Sequence, residues 1–324
     1  CQPSAPSSGI EACGAQGSRV IVVLSIGHRP FVQVTRPLIE AYAMRTLSAL
    51  QWVDSAEHAA LKSSAAKLKE TPRFMKLAVV EFFLAQYVQL LLLDDDVLVS
   101  PRLPSLFQEV GCHRLAAVVE RHKPQGWHAM HWRAACSLYQ TDKCEPKQWW
   151  LFNSGVLLLS QAHLPLLRGW QHRRLQCQVL CDQLYFNAAA QRERICVHDL
   201  GSRFNYVGSE VKRALVGLNR SRGSVELSRR RGELRDACIV HLTRKVPKLY
   251  TADWLLRRSL EVGDVLACAA NASHTPPLAL GGSVSHLGSS ASSRPDLRHK
   301  YSIERELCRG EAAGCQLEAW ARGS

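Results

Sequence analysis

The sequence predicts an α/β protein built on an open, mostly parallel sheet flanked by helices. Three observations carry that prediction. Short apolar runs such as residues 20–26 and 90–93 stop abruptly at glycine or acidic residues, as strands buried on both faces do. Longer stretches of helical spacing stand between those runs. Polar and acidic residues gather where the apolar runs begin or end, the edge at which open α/β sheets hold ligands.

Residues 1–17 are rich in Ser, Pro and Gly and read as a flexible lead-in. Residues 20–26 follow as a buried parallel strand, closed by Gly27 and soon by Pro30. Helical spacing runs over 35–50 through Leu38, Tyr42 and Leu47, and 55–70 reads as an exposed helix rich in Ala and Lys. A stronger amphipathic helix spans 73–89 through Leu77, Val80, Phe83, Leu84 and Tyr87. Leu90 to Leu93 then run as a strand into Asp94, Asp95 and Asp96, with Val97, Leu98 and Val99 beyond. Further strands are expected at 115–119, 155–159 and 238–242, and further helices at 161–176 and 180–192. Residues 268–296 turn to Ser, Gly and Ala without periodicity and read as a linker or disordered tail, with a short helix near 303–307. The expected organisation is a lead-in over 1–17, one catalytic domain over 18–262, and a linker and partly disordered tail over 263–324.

A chain of 324 residues is long enough to bury a full core without staples. Its net charge of +13 favours anionic partners, whether phosphorylated small molecules, nucleic acid or a membrane surface. The basic excess is densest between Arg203 and Lys248, where no interleaved aromatics or known module accompany it; that reads as a solvated basic loop and argues against nucleic acid. The 12 cysteines are many for a reducing compartment, and no paired CxxC zinc spacing occurs among them. Cys177 and Cys181, one helical turn apart, read as a buried helix face. With the sequons at Asn219 and Asn271, the cysteines point to the secretory pathway, with the Golgi lumen as the expected site. No run reaches the ~18 apolar residues of a membrane span. The chain opens on Cys1, so a signal or anchor is expected outside this stretch.

Four short segments could carry chemistry. Asp94, Asp95 and Asp96 repel one another at a strand end, and a hard divalent cation, Mn²⁺ or Mg²⁺, would relieve them. Phe152-Asn153-Ser154-Gly155 sets two polar residues and a glycine just before an apolar strand, and Gly155 lets another group approach the backbone closely. Asp182 and Gln183 open a helix, where Asp182 reads equally as a first-turn acid. His241 closes a short strand and is followed by Arg244, Lys245 and Lys248, cations suited to a diphosphate.

In this order and spacing, residues 20–250 resemble the nucleotide-sugar glycosyltransferases of the GT-A (Rossmann-like) fold, above all the glycogenin-type retaining enzymes of family 8. Asp94-Asp95-Asp96 is similar to the family's aspartate-any-aspartate motif, with Gln86-Tyr87 at the usual distance before it. Residues 152–156 match its FNSGV stretch; Asp182, Gln183 and Asn187 match its DQ…N stretch; residues 200–205 and His241 onward match the two later motifs. The resemblance implies metal ligation by Asp94, Asp96 and His241. It sets Asp95, Asn153, Ser154, Gly155, Arg244, Lys245 and Lys248 against the donor, Ser25, Gly27 and Phe31 near the base, and Asp182 and Gln183 near the anomeric carbon. It further implies a UDP-sugar donor and retention of configuration, with a glycan, a protein or a small molecule as acceptor. Arg244 stands where the family carries glycine, Lys248 follows Pro247 instead of preceding it, and the nearest counterpart of the family's basic residue before the aspartates is Lys76, two residues further from them. Alternatives are a sugar-nucleotide pyrophosphorylase and a GT-A-fold protein that binds its ligand without turnover.

Overall fold

The computed structural model describes residues 19–27, 29–54, 74–112, 114–139, 150–170, 180–208, 211, 229, 232–243 and 268. The central sheet has six strands. They are β1 (Arg19–Leu24), β2 (Ala49–Val53), β3 (Gln89–Asp94), β5 (Leu115–Val119), β6 (Phe152–Ser160) and β7 (Val197–Asp199), in the order β2-β1-β3-β6-β5-β7. β1 pairs parallel with β2 and β3, and β5 parallel with β7, whereas β6 runs antiparallel to both its neighbours. A second sheet of three short strands orders β4 (Val97–Val99), β9 (Ile239–His241) and β8 (Tyr206–Val207). The helices are α1 (Val32–Arg45), α2 (Met75–Leu84), the single turn α3 (Leu106–Glu109), α4 (Gln125–Tyr139) and α5 (Cys181–Arg192).

Alternation along the strands divides the core in two, because successive side chains of a strand point to opposite faces. Val20, Val22, Leu90, Leu92, Leu157 and Leu159 face one layer, with Leu77 and Val80 of α2, Trp132 of α4 and Leu184 and Tyr185 of α5. Ile21, Val23, Leu91, Leu93, Val156 and Leu158 face the other, with Ile39 and Tyr42 of α1, Val97, Phe107 and Ile239. Leucine therefore fills both faces of β3, and its run of apolar residues lacks the alternation of a half-buried strand. The expected α/β class is the one observed.

Several boundaries differ from expectation. Helix 35–50 ends at Arg45, Leu47 takes a left-handed φ of 52°, and Ala49 begins the edge strand β2. β2 is buried only at Val53, so it lacks the apolar run that marks an inner strand. The strand expected at 155–159 begins at Phe152, which puts Asn153 and Ser154 inside it. In place of a helix from 161 stands a 3-10 helix, Gln161–Leu167, containing Pro165, which cannot donate to an α-helical ladder. α4 and the short strands β4, β7 and β8 were not expected as elements. The lead-in, the 55–70 helix, the two sequons and the tail from 269 lie outside the described residues.

All six cysteines among the described residues are disulfide-bonded, including Cys181 and a Cys238–Cys268 pair. No described helix is long and apolar enough to cross a membrane.

Candidate metal and donor site

The site forms where three peculiarities of the sheets meet. β3 delivers Asp94 as its last residue. Because β6 runs the opposite way, its first residues and not its last lie at that same edge, with Val156 beside Leu93. The pairing of β6 with β5 jumps from Leu157 to Asn153, so Ser154, Gly155 and Val156 bulge from the ladder, as strands commonly do next to functional sites. The small sheet supplies the rest: His241 pairs with Val97, Leu242 N–H donates to the Asp96 carbonyl at 2.8 Å, and Asn205 stands immediately before β8.

Asp94, Asp96 and His241 each offer a ligand atom within 4.8 Å of the others and could hold a metal ion. His241 Nε2 lies 3.1 Å from Asp96 Oδ1 and 3.4 Å from Asp94 Oδ2. Its other nitrogen, Nδ1, is 3.1 Å from Asn205 Oδ1, and Asn205 Nδ2 is committed to Asn153 Oδ1 at 2.8 Å. The Asn205 oxygen must therefore accept from His241 Nδ1–H. That leaves Nε2 as the coordinating nitrogen, the orientation that supporting hydrogen bonds give to metal-binding histidines. Two carboxylates and one imidazole suit Mn²⁺ or Mg²⁺, with coordination positions to spare. The donor set fits the expected ion. Burial pulls the imidazolium pKa down, but Asp96 and then Asp94 outweigh it, so His241 stands above the usual histidine range.

At Gly155 the bulge leaves no room for a side chain. A Cβ there would lie 2.3 Å from His241 Cε1, 2.6 Å from its Nδ1 and 2.9 Å from Asn153 Oδ1. The group expected to approach this glycine is thus His241 itself.

Lys76, on α2, reaches the aspartates despite its displacement in sequence. Its Nζ lies 2.5 Å from Asp94 Oδ1 and 2.7 Å from Asp182 Oδ2. Ser154 Oγ donates to the same Asp182 oxygen at 2.8 Å. Burial opposes both charges of the Lys76–Asp182 pair; mutual attraction wins, raising Lys76 and holding Asp182 below the usual carboxylate range. Asp95 turns away from this cluster. It accepts from Ser25 Oγ at 3.0 Å and faces Arg29 Nε at 3.5 Å, which ties the loop after β1 to the aspartate turn. Burial, and then Asp96, push Asp95 up to about 6. Gly27 holds a φ of 79°, which glycine alone adopts freely. Phe31 is buried beneath Arg29, whose guanidinium lies 5.9 Å from the ring centroid, so of these two Arg29 is the exposed one.

No protein-family model matches this sequence, and no curated protein matches it. Solved structures do match, among them several glycosyltransferases. Mouse xyloside xylosyltransferase 1 in its apo form is 16% identical, over 71% of this chain and 99% of that one, at a TM-score of 0.41. A glycosyltransferase involved in glycosylating the major capsid of PBCV-1 is 15% identical, over 72% and 98%, at 0.40. The galactosyltransferase LgtC, in complex with donor and acceptor sugar analogues, is 17% identical, over 69% and 87%, at 0.42.

The structure brings together Asp94, Asp96, His241, Asn153, Ser154, Gly155, Asp182 and Gln183, and sets Ser25 and Asp95 beside them. Arg244, Lys245 and Lys248 lie outside the described residues. Glu120, which follows β5, was missed. It is buried, and its Oε2 accepts from Gln183 Nε2 at 2.8 Å. Burial raises its pKa. The signal that could have found it is the one that found Asp94: an apolar strand running straight into an acid.

Proposed function

We propose that this protein is a metal-dependent glycosyltransferase of the GT-A fold, moving a sugar from a nucleotide-sugar, a UDP-sugar by resemblance, to an acceptor with retention of configuration. The observation that carries the reading is the convergence of Asp94, Asp96 and His241 from distant segments beside the polar bulge of β6. The cation held by these three would supply Lewis-acid stabilisation to the diphosphate as it leaves. Lys76 would add a fixed positive charge in the same place, already oriented and shielded from water. Asn153, Ser154 and Gln183 would orient the sugar. Asp182, its pKa depressed and one oxygen taken by Lys76 and Ser154, is a weak proton acceptor and suits steadying positive charge at the anomeric carbon. Arg29 would meet the nucleotide at the mouth of the β1 loop. The disulfide-bonded cysteines support an oxidising compartment, which we take to be the secretory pathway.

The test is release of free nucleotide from a panel of UDP- and GDP-sugars, with Mn²⁺ or with chelator, comparing wild type and Asp96→Asn. Metal-dependent release from one donor should fall roughly 10²–10³-fold in the variant. Equal release with chelator, or from the variant, would remove the metal from the mechanism. If no donor in the panel is cleaved or bound, the reading is wrong.

A further inference from the structure

Where β5 ends and β6 begins, beside the donor site, stands a group of aromatic side chains that the metal chemistry does not use. Helical spacing divides them between two faces of α4. His128, Trp132 and Ala135 are buried on one, while half-buried Trp127 and His131 share the other with exposed Met130. His128 is locked in place. Its Nδ1 accepts from Leu151 N–H at 3.1 Å, so Nε2 bears the proton and donates to the Glu120 carbonyl at 3.2 Å. Glu120 N–H donates in turn to the Leu151 carbonyl at 2.9 Å, which fixes α4 to the ends of both strands. Two tryptophans meet the His128 ring nearly at right angles: Trp127 with centroids 5.0 Å apart and planes at 89°, Trp150 at 4.9 Å and 81°. Lys123 lies over the Trp127 ring at 5.5 Å, and His131 stands 4.3 Å from it. Trp150 differs from its neighbour: at 36% it is the one exposed tryptophan among the described residues.

We propose that Trp150, held by His128 and flanked by Trp127, is the platform on which a carbohydrate acceptor stacks a pyranose ring, so that the sugar is transferred onto a glycan. The role as acceptor rests on the transferase reading above; the stacking does not. Position favours it. Trp150 precedes Asn153 by three residues, so their Cα atoms are no more than roughly 11 Å apart, a span of one to two sugar rings. Glu120, bonded through its backbone to Leu151, reaches Gln183 with its side chain at 2.8 Å, so the platform and the donor site share a wall. Chemistry favours it too. A pyranose carries C–H groups on its faces and hydroxyls around its rim; the C–H groups suit the electron-rich face of an indole. Lys123 and His131 bring hydrogen-bonding groups beside the rings, the mixture of apolar floor and few polar contacts that small-molecule sites use. Of the exposed large apolar side chains among the described residues, only Trp150 and Met130 belong to α4 or the start of β6, which is little surface for an acyl chain.

The test is binding, not turnover. The full chain is read on a glycan array with pentose, hexose and N-acetylhexosamine termini, and the tightest binder is titrated into variants by calorimetry. Trp150→Ala should weaken binding about 10-fold, or ~1.4 kcal/mol. Trp150→Phe, which keeps a π face, should recover most of that, and Trp150→Leu, apolar without one, should not. Phe82→Ala, which removes an exposed aromatic of α2, should bind as wild type does. Saturation-transfer NMR should find the C–H protons of one ring face nearest the protein. Thermal melts check each fold, and if alanine disturbs it the phenylalanine–leucine pair carries the comparison. The proposal is overturned if no glycan on the array binds, if Trp150→Ala binds as tightly as wild type, or if leucine serves as well as phenylalanine. Glycan binding through Trp150 without cleavage or binding of any nucleotide-sugar would sink the transferase reading and leave the carbohydrate site standing. Nucleotide release without glycan binding would do the reverse.

Discussion

Gly155→Ala is the smallest change that tests the site's architecture. The added methyl would lie 2.3 Å from His241 Cε1 and 2.6 Å from Nδ1. Ordinary carbon contacts sit at ~3.5–4.0 Å, so the ring must retreat by more than ~1 Å. It has little freedom to do so, being held at 3.1 Å by both Asn205 and Asp96. A shift of that size carries both contacts past hydrogen-bonding range. Overpacking should cost about 1–3 kcal/mol, and a lost bond to a charged group about 1.5–3 more. The total is roughly 2.5–6 kcal/mol, or about 5–24 °C in Tm for a domain of this size. Metal ligation tolerates errors of only ~0.2 Å, so Mn²⁺ affinity should fall at least about 100-fold. Thermal melts by circular dichroism and titration calorimetry with Mn²⁺ measure the two effects. Gly126→Ala is the control: it sits in α4 with nothing within 4 Å of its would-be Cβ, and should be neutral or slightly stabilising. If Gly155→Ala melts within 1–2 °C of wild type, the packing argument is wrong; if it also keeps wild-type Mn²⁺ affinity, His241 is not held where it is described.

Three further outcomes are expected. Lys76→Met leaves Asp94 and Asp182 without their counter-charge and should cost about 3 kcal/mol or more, measured by urea unfolding; a loss below ~1 kcal/mol would refute the pairing. His241, raised by Asp96 and Asp94, stabilises the metal-free protein fully below the unfolded histidine pKa of about 6.5, and that stability is lost as pH rises through the folded value. Melts in chelator should therefore weaken from pH 6 upward, whereas Mn²⁺, which must displace that proton, should bind more weakly toward acid, and His241→Ala should abolish both trends. Opening the Cys238–Cys268 bridge, which spans 30 residues next to β9, should cost about 3–4 kcal/mol by loop entropy, read as a lower Tm for Cys268→Ser.

The sequence made the inner strands and the acids at their ends legible, because burial on both faces and charge at a strand end are local patterns. The edge strand β2 was not legible, since its half-buried residues carry neither period cleanly and the break at Leu47 is a left-handed residue with no glycine to announce it. Lys76 looked displaced when counted along the chain, but a long side chain on a buried helix face spans that offset and meets Asp94 at 2.5 Å. That Asn153 meets Asn205, and Gln183 meets Glu120, could not be read from spacing: these residues lie on separate elements, and the bulge in β6 sets Asn153 against Asn205.

The reversed strand accounts for the order of the motifs. In an all-parallel sheet, ligand-binding residues follow their strands, as Asp94 and Glu120 do. Asn153, Ser154 and Gly155 stand at the start of theirs because β6 alone runs the other way, and an antiparallel strand must present its beginning where its neighbours end. The same inversion lets Gly155 lie against His241 of the small sheet, and Asn153 Oδ1 accept from Asn205, just before that sheet, while Gly155 N–H donates to the same oxygen. The metal triad and the glycine without room for a methyl are therefore consequences of one topological choice, and any change that slips the β6 register by a residue should disable both together.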